Sequence, residues 1–228
     1  MSLVYSTTTS NEGAGPSITL AVVVPASAVY CVLVWTMNAN NGVVSPTPTF
    51  NGSSTGVTSR GSSFGSAWGC CGIYTLSSPP TGTYNISSNA LGSLHAYSLH
   101  AFFFDTFTAL GTFASANGTN ASTNTFVDQQ GTVVGSSGDV IISAHSDDTG
   151  SGGGSFSSRS GTANGEYGLG SGDGFGGAQS EIASGTNTTA RISILDTFGS
   201  GDWAWCGIAV TSPAGSSFVP RLSLMGMG

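Results

Sequence analysis

Lysine is absent from this chain, and charge of either sign is scarce. Four basic and eleven acidic residues among 228 give 7% charged residues and a formal net charge of −7. Electrostatic binding of nucleic acid needs clustered Lys or Arg. The four arginines, Arg60, Arg159, Arg191 and Arg221, are instead spread over the whole sequence. We therefore expect no nucleic-acid partner.

The residues that usually cover soluble helices are also rare. Glutamate occurs only as Glu12, Glu166 and Glu181, and Gly, Ser, Thr and Asn fill the spacers between apolar segments. Disorder is not indicated, because 39% of the residues are hydrophobic and 10% are aromatic. The composition predicts a folded, all-β protein that is nearly free of helix.

Signals for a membrane span or for export are missing as well. Residues 18–35 form the one long apolar stretch, and Pro25 divides it into two segments of strand length without flanking basic residues. Residues 1–15 lack the positively charged region of a secretory signal. These features predict a soluble protein, made in the cytoplasm, with no membrane partner.

What is present is a series of short strands organised around residues 66–104. This stretch is predicted to form strand, tight turn, strand, loop and strand, because Pro79 and Pro80 fix φ and Gly82 supplies a positive φ. Alternate residues of 94–104 are apolar on both faces, which predicts a central strand covered on both sides. Five further apolar or β-branched segments are predicted strands: 18–24, 29–37, 123–128, 188–195 and 203–210.

The remaining segments complete a predicted sandwich of about ten strands. Residues 139–144 form another strand after a turn at 135–138, and residues 47–52 form an edge strand marked by proline. Residues 105–116 are predicted to be a loop or a short helical turn, and the Gly/Ser-rich residues 146–185 to be long surface loops around one or two weak strands. The fold class is therefore an antiparallel, jelly-roll-like β-sandwich, with no internal repeat detected.

The predicted organisation has three parts. Residues 1–16 form an N-terminal arm, residues 17–212 a single sandwich domain, and residues 213–228 an apolar tail. Several strands have two apolar faces, which is more than one sandwich interior requires. This surplus predicts burial against other copies or another protein, and hence a homo-oligomer, either dimer or trimer.

Four cysteines fall inside apolar strand-like segments: Cys31, Cys70, Cys71 and Cys206. Cys70 and Cys71 are adjacent and point to opposite faces of a strand, so they cannot both ligate one tetrahedral metal. The main interpretation is buried, reduced thiols. A Cys31–Cys206 or a Cys70–Cys71 cross-link is the alternative, and no metal or cofactor is predicted.

The histidines do not form a catalytic constellation. His95 and His100 are five residues apart in a strand, so their side chains project to opposite faces. His145 ends a strand beside Asp147 and Asp148, which could orient an imidazole, but no Gly-x-Ser-x-Gly elbow in a strand-turn-helix context follows it. Five acids that could supply calcium ligands lack an EF-hand spacing and are predicted to be solvated: Asp147, Asp148, Asp173, Asp202 and Glu166. We expect no catalytic residues and no enzyme activity.

Three motifs together resemble a known family. They are the opening strands around Val24-Pro25-Ala26 and Leu33-Val34-Trp35, the turn Pro79-Pro80-Thr81-Gly82-Thr83 after an aromatic strand, and the closing strand 203–210. They resemble a β-sandwich domain of tailed-phage structural proteins and bacterial surface proteins. The resemblance covers about residues 18–210, and the long Gly/Ser region after Ala144 departs from it. It implies a structural module of a virion or surface, without catalytic residues.

The resemblance and the composition together predict a virion structural protein. The expected role is that of a phage capsid decoration (cement) or head-fibre protein, assembled in the host cytoplasm, located on the capsid surface and partnered by the major capsid protein. The alternative is a glycan-binding adhesin module on a phage tail or cell surface, in which exposed aromatic rings stack on sugars. Its candidate rings are Trp35, Trp68, Trp203 and Trp205, and core positions are predicted for at least three of them.

The apolar C-terminal tail is the predicted interface with other subunits or with the capsid. Large side chains of this kind gain roughly 1.5–3 kcal/mol each when fully buried, so the tail is expected to dock. Its candidate interface residues are Phe218, Val219, Leu222, Leu224 and Met225. Docking on the chain's own sandwich and strand addition to a neighbouring subunit are both open alternatives.

Overall fold

The computed structural model describes residues 3–11, 17–39, 47–65, 69–89, 94–119, 125–147, 156–168, 175–196 and 201–211. These residues form seventeen β-strands and no helix, so the predicted all-β, antiparallel fold class is confirmed. No helix in this part of the chain is long and apolar enough to cross a membrane.

The N-terminal half of the chain contains eight strands. They are β1 (Leu3–Asn11), β2 (Ser17–Val24), β3 (Tyr30–Ala39), β4 (Thr49–Phe50), β5 (Val57–Phe64), β6 (Gly69–Ser77), β7 (Gly82–Asn89) and β8 (Leu94–Phe104). Five of them form the N-terminal large sheet, in the order β1-β8-β3-β6-β5, and three form the N-terminal small sheet, in the order β2-β7-β4.

The C-terminal half contains nine strands. They are β9 (Ala109–Leu110), β10 (Ala114–Thr119), β11 (Thr125–Val134), β12 (Val140–Asp147), β13 (Phe156–Arg159), β14 (Thr162–Gly168), β15 (Phe175–Ile182), β16 (Asn187–Asp196) and β17 (Asp202–Thr211). The C-terminal large sheet has the order β10-β17-β12-β15-β14, with β9 paired to β17, and the C-terminal small sheet has the order β11-β16-β13.

The two halves repeat one strand order. Each strand from β1 to β8 can be matched, in chain order, with one strand from β10 to β17. The order β1-β8-β3-β6-β5 then becomes β10-β17-β12-β15-β14, and β2-β7-β4 becomes β11-β16-β13. The chain is therefore duplicated in topology, although its sequence shows no internal repeat. Each half has the eight matched strands that a jelly roll also has. The jelly-roll connectivity and the single domain over residues 17–212 stay predictions.

Three apolar cores hold four sheets in a stack. The first core lies between the N-terminal small and large sheets and includes Leu20, Trp35 and Phe103. The central core lies between the two large sheets and includes Phe102 and Ile208. The third core, between the C-terminal large and small sheets, is smaller and centres on Trp205.

Strands of the large sheets bury both faces inside the same chain. In β8, Leu99, Ala101 and Phe103 face the first core, while Phe102 and Phe104 face the central core. This is the alternation predicted for residues 94–104. The second apolar face, which the sequence assigned to other subunits, is covered here by the other half of the chain, so it is no longer an argument for a partner.

The central core is arranged like an interface with two-fold symmetry. Strand β5 at one edge of the N-terminal sheet meets β10, and its counterpart β14 meets β1, the counterpart of β10. Side chains join both edges: Ser63 Oγ donates to Ala116 O at 2.8 Å, and Asn164 Nδ2 donates to Thr7 O at 3.3 Å. Because each half uses the same strands, the contact is isologous, as in a C2 dimer.

The expectation of about ten strands is wrong, since the described residues contain seventeen. Residues 105–116, predicted to be a loop or helical turn, contain β9 and the start of β10. The described part of the Gly/Ser-rich residues 146–185 contains three strands, β13, β14 and β15, where one or two were predicted. Close packing explains the glycine at position 176 of β15, because a Cβ there would lie 2.6 Å from Thr36 Oγ1 in the opposite sheet.

Candidate functional site

The predicted interface residues fall outside the described part of the chain. These residues are Phe218, Val219, Leu222, Leu224 and Met225. The same holds for Trp68, Asp148 and Asp173 and for the side chains of His95 and Glu166. Their roles therefore stay predictions, and the described chemistry lies in two buried polar clusters.

In each half of the chain the large and small sheets form one sandwich. The first cluster lies inside the C-terminal sandwich, whereas the interior of the N-terminal sandwich is apolar. Strand β12 turns Ser143, His145 and Asp147 away from the central core and toward the C-terminal small sheet, and all three side chains are fully buried. Gln179 on β15 pairs with Ser143 in the ladder, and Gln129 on β11 enters from the opposite sheet. We call these five residues the polar interior.

Hydrogen bonds satisfy only part of the polar interior. Gln129 Nε2 donates to Asp147 Oδ2, and Gln179 Nε2 lies 3.4 Å from Ser160 Oγ. Among the described residues, no partner is found for Ser143 Oγ, Gln129 Oε1 or Gln179 Oε1. An unpaired buried polar atom costs about 1–3 kcal/mol. Atoms of this kind are the usual partners of buried water molecules.

Burial favours the neutral form of His145, which belongs to the polar interior, and of Glu181. It lowers the pKa of His145 to about 3, and the charge of Arg159 lowers that pKa further. Burial also raises the pKa of the Glu181 carboxyl, while a hydrogen bond from Ser160 opposes the rise. A neutral, enclosed imidazole has no access to an external substrate. The orienting arrangement suggested for His145 and Asp147 is therefore sealed inside the sandwich.

The second cluster lies at the edge of the central core, around His100. Its Nδ1 lies 2.7 Å from Asn164 O and 2.8 Å from Thr8 Oγ1, and its Nε2 lies 2.8 Å from Ser98 Oγ. Ser98 Oγ in turn lies 2.5 Å from Thr36 Oγ1. A Ser–His contact is also the geometry of an activated nucleophile. Here Ser98 is 2% exposed and His100 is 0% exposed, so neither side chain is open to a substrate. Because His100 lies in the N-terminal half and Asn164 in the C-terminal half, the cluster joins the two halves of the chain.

The tryptophans and the acids add no open site in the described residues. Trp35 and Trp205 are fully buried, so neither ring is open for sugar stacking, and the partly buried Trp203 packs against the third core. Asp147 and Asp202, predicted to be solvated, are buried instead. No group of three His, Cys, Asp or Glu that could hold a metal ion occurs within the described ranges.

All four cysteines are buried and unbridged, as the main interpretation predicted. Cys31 and Cys70 belong to the first core, whereas Cys71 and Cys206 belong to the central core. The Cys31–Cys206 alternative is therefore wrong, because a sheet separates the two thiols. The Cys70–Cys71 alternative is wrong as well, because neighbouring strand residues point to opposite faces.

The alternation of β12, with polar Ser143, His145 and Asp147 on one face, was the sequence signal for the polar interior. Such alternation usually marks a strand with one solvated face, so it predicted exposure rather than enclosure. Gln129 and Gln179 carried no sequence signal for burial.

Compared with known proteins, the chain matches no family model, and no curated protein matches it.

Proposed function

We propose that this protein is a non-enzymatic structural component of a virion. Its role is that of a capsid decoration (cement) or head-fibre protein on the capsid surface, assembled in the host cytoplasm and bound to the major capsid protein. The observation that carries the proposal is the enclosure of the reactive side chains. All four cysteines and both histidines with described side chains are buried within the stacked sandwiches. This enclosure, within the described residues, supports a role carried by surfaces.

The surfaces at the two ends of the stack support a structural role. The outer face of the N-terminal small sheet exposes Thr19, Ala21 and Val23, with Thr19 Oγ1 at 3.0 Å from Ser87 Oγ. The outer face of the C-terminal small sheet carries an ion pair between Arg191 and Asp128 at 3.3 Å. Exposed pairs of this kind contribute little stability. The N-terminal face is rich in hydroxyl groups, which suits protein contacts.

The C-terminal tail is the proposed contact with the capsid or with neighbouring subunits. Since the second apolar faces of the large sheets are covered internally, the case for a homo-oligomer now rests on residues 218–225. Strand addition by this segment would supply backbone hydrogen bonds as well as burial of large side chains.

We expect the purified full-length protein to sediment with capsids, because the proposed contacts lie on the tail and on the outer faces of the small sheets. The matched variant lacks residues 218–228, and we expect its binding to fall at least tenfold, which corresponds to about 1.4 kcal/mol. The measurement is co-sedimentation with particles stripped of surface proteins, combined with immunogold labelling of intact particles.

Two other outcomes separate the parts of the proposal. Equal binding of both proteins would leave the structural role intact and remove the tail from the interface. If neither protein binds and no gold labels the particles, while a glycan array shows selective sugar binding, the adhesin alternative replaces the proposed function.

A further inference from the structure

Two cysteines from different halves of the chain meet in the central core. Cys71 lies on β6 of the N-terminal large sheet, Cys206 lies on β17 of the C-terminal large sheet, and both are 0% exposed. Cys71 Sγ lies 3.8 Å from Ala144 O, and Ala144 is the ladder partner of Cys206. The Cys206 thiol is also close enough to raise the pKa of the Cys71 thiol beyond the rise that burial causes. The two sulfur atoms are therefore neighbours across the interface between the sandwiches.

We propose that Cys71 and Cys206 are a disulfide site that fastens the two sandwiches together when an oxidant of the disulfide class reaches them. With oxidised glutathione, the thiolate of one cysteine attacks a glutathione sulfur, forms a mixed disulfide and releases one reduced glutathione. The second cysteine then attacks the mixed disulfide, forms the Cys71–Cys206 bond and releases the second glutathione. The two protons of the protein thiols end on the two released glutathione thiols.

The other two cysteines cannot form an equivalent bond in the folded chain. Cys31 and Cys70 both face the first core, but Cys31 pairs with Leu76 and Cys70 pairs with Met37 in the β3–β6 ladder. These two ladder positions are separated by six residues of β3, or about 20 Å along the strand. Disulfide formation requires Cα atoms within about 7 Å. The structure thus contains one pair of neighbouring thiols, Cys71 and Cys206, and two cysteines that serve as internal controls.

Closure of the stack controls when the bond forms. Burial raises the pKa of the Cys71 thiol, and the neighbouring Cys206 thiol raises it further, so the reactive thiolate is scarce in the closed state. No part of either cysteine reaches solvent. Oxidation therefore requires the large sheets to separate, whereas reclosure brings the two sulfur atoms together and favours the bond between them. This inference rests on the central core alone and is independent of the proposed function.

The test refolds the full chain from denaturant in a buffer of reduced and oxidised glutathione, so that all four thiols are accessible at the start. Peptide mapping without reductant should find one protein disulfide, Cys71–Cys206, with Cys31 and Cys70 free. We expect the oxidised protein to unfold at a higher temperature than the reduced protein, and dithiothreitol to reverse the difference.

Three variants complete the test. Cys206→Ala should lose both the disulfide and the dithiothreitol-sensitive shift, and Cys31→Ala and Cys70→Ala should keep both. The proposal is overturned if the refolded wild-type chain, with its native circular dichroism, retains four free thiols. It is also overturned if the chain carries glutathione on Cys71 or Cys206 without a bond between them, or if it bridges a different pair. Because the wild-type map alone decides the matter, a variant that fails to fold does not weaken the test.

Discussion

Acidification is expected to destabilise this protein strongly, because two buried imidazoles must stay neutral in the fold. Burial lowers the pKa of His100 to about 4, against the opposing effect of the Asn164 carbonyl, and lowers that of His145 to about 3. An unfolded histidine has a pKa of about 6.5. Below about pH 6.5 the unfolded chain therefore binds more protons than the folded chain, and stability falls as the pH falls.

The size of the effect follows from the gap between the folded and the unfolded pKa. The gap corresponds to about 3 kcal/mol for His100 and about 5 kcal/mol for His145, since one pKa unit equals about 1.4 kcal/mol. The loss begins near pH 6.5 and is complete below about pH 4 for His100 and about pH 3 for His145. Glu181 acts in the opposite direction because burial raises its pKa, but this carboxyl is partly exposed and its contribution is smaller.

Urea unfolding at a series of pH values from about 7 to about 4 measures this loss. The control is His100→Gln, which cannot titrate but can still donate to the Asn164 carbonyl. We expect the variant to lose less stability on acidification than the wild type. A free energy of unfolding that stays constant down to about pH 4 would show that these imidazoles are hydrated or already protonated at neutral pH.

Removal of one aromatic ring from the central core is expected to destabilise both halves of the chain. Phe102 is 0% exposed and belongs to the core shared by the two sandwiches. Phe102→Ala should lower the free energy of unfolding by about 3–5 kcal/mol, because it removes buried apolar surface and leaves a cavity. Tryptophan fluorescence reports on both sandwiches, since Trp35 lies in the first core and Trp205 in the third.

The matched control is the same substitution at an exposed ring. Phe126 is 53% exposed, so Phe126→Ala should change the free energy of unfolding by less than about 1 kcal/mol. Equal losses for the two variants would mean that Phe102 is not enclosed. A loss confined to one fluorescence transition would mean that the two sandwiches do not share a core.

Side-chain alternation predicted much of the fold. The apolar face of β2, the two apolar faces of β8 and the turn before β7 were all visible in the sequence. Gly82 has φ +123°, which is the positive value expected at that turn. These features are local, because alternate residues of a strand face the same side of the sheet whatever packs against that side.

The strands that pattern reading missed are those without apolar alternation. Strand β15 contains Gly176 and Gly177, which have no side chains to alternate, and it is held by its ladder to β12 and by close approach to the opposite sheet. The duplication was invisible for a related reason. The matched strands β3 and β12 share a position in the sheet but not a sequence, since Trp35 and Met37 on β3 face an apolar core whereas His145 and Asp147 on β12 face a polar interior.

The polar interior could not be predicted because enclosure depends on the partner sheet. Ser143, His145 and Asp147 alternate with apolar residues, as they would on a strand that faces solvent. Only the position of β11 and β16 over this face makes it an interior, and Gln129 reaches Asp147 across that gap. Pairing between distant segments, rather than local pattern, determines which polar residues are buried.

The central claim of this account is that the two halves of one chain pack face to face through the central core. The most direct test is nuclear Overhauser spectroscopy on protein with labelled methyl groups. We expect cross-peaks that connect methyls of Val32 and Val34 in the N-terminal large sheet with methyls of Ile142 and Ile208 in the C-terminal large sheet. If cross-peaks appear within each sandwich but none connects the two large sheets, the face-to-face stack is contradicted.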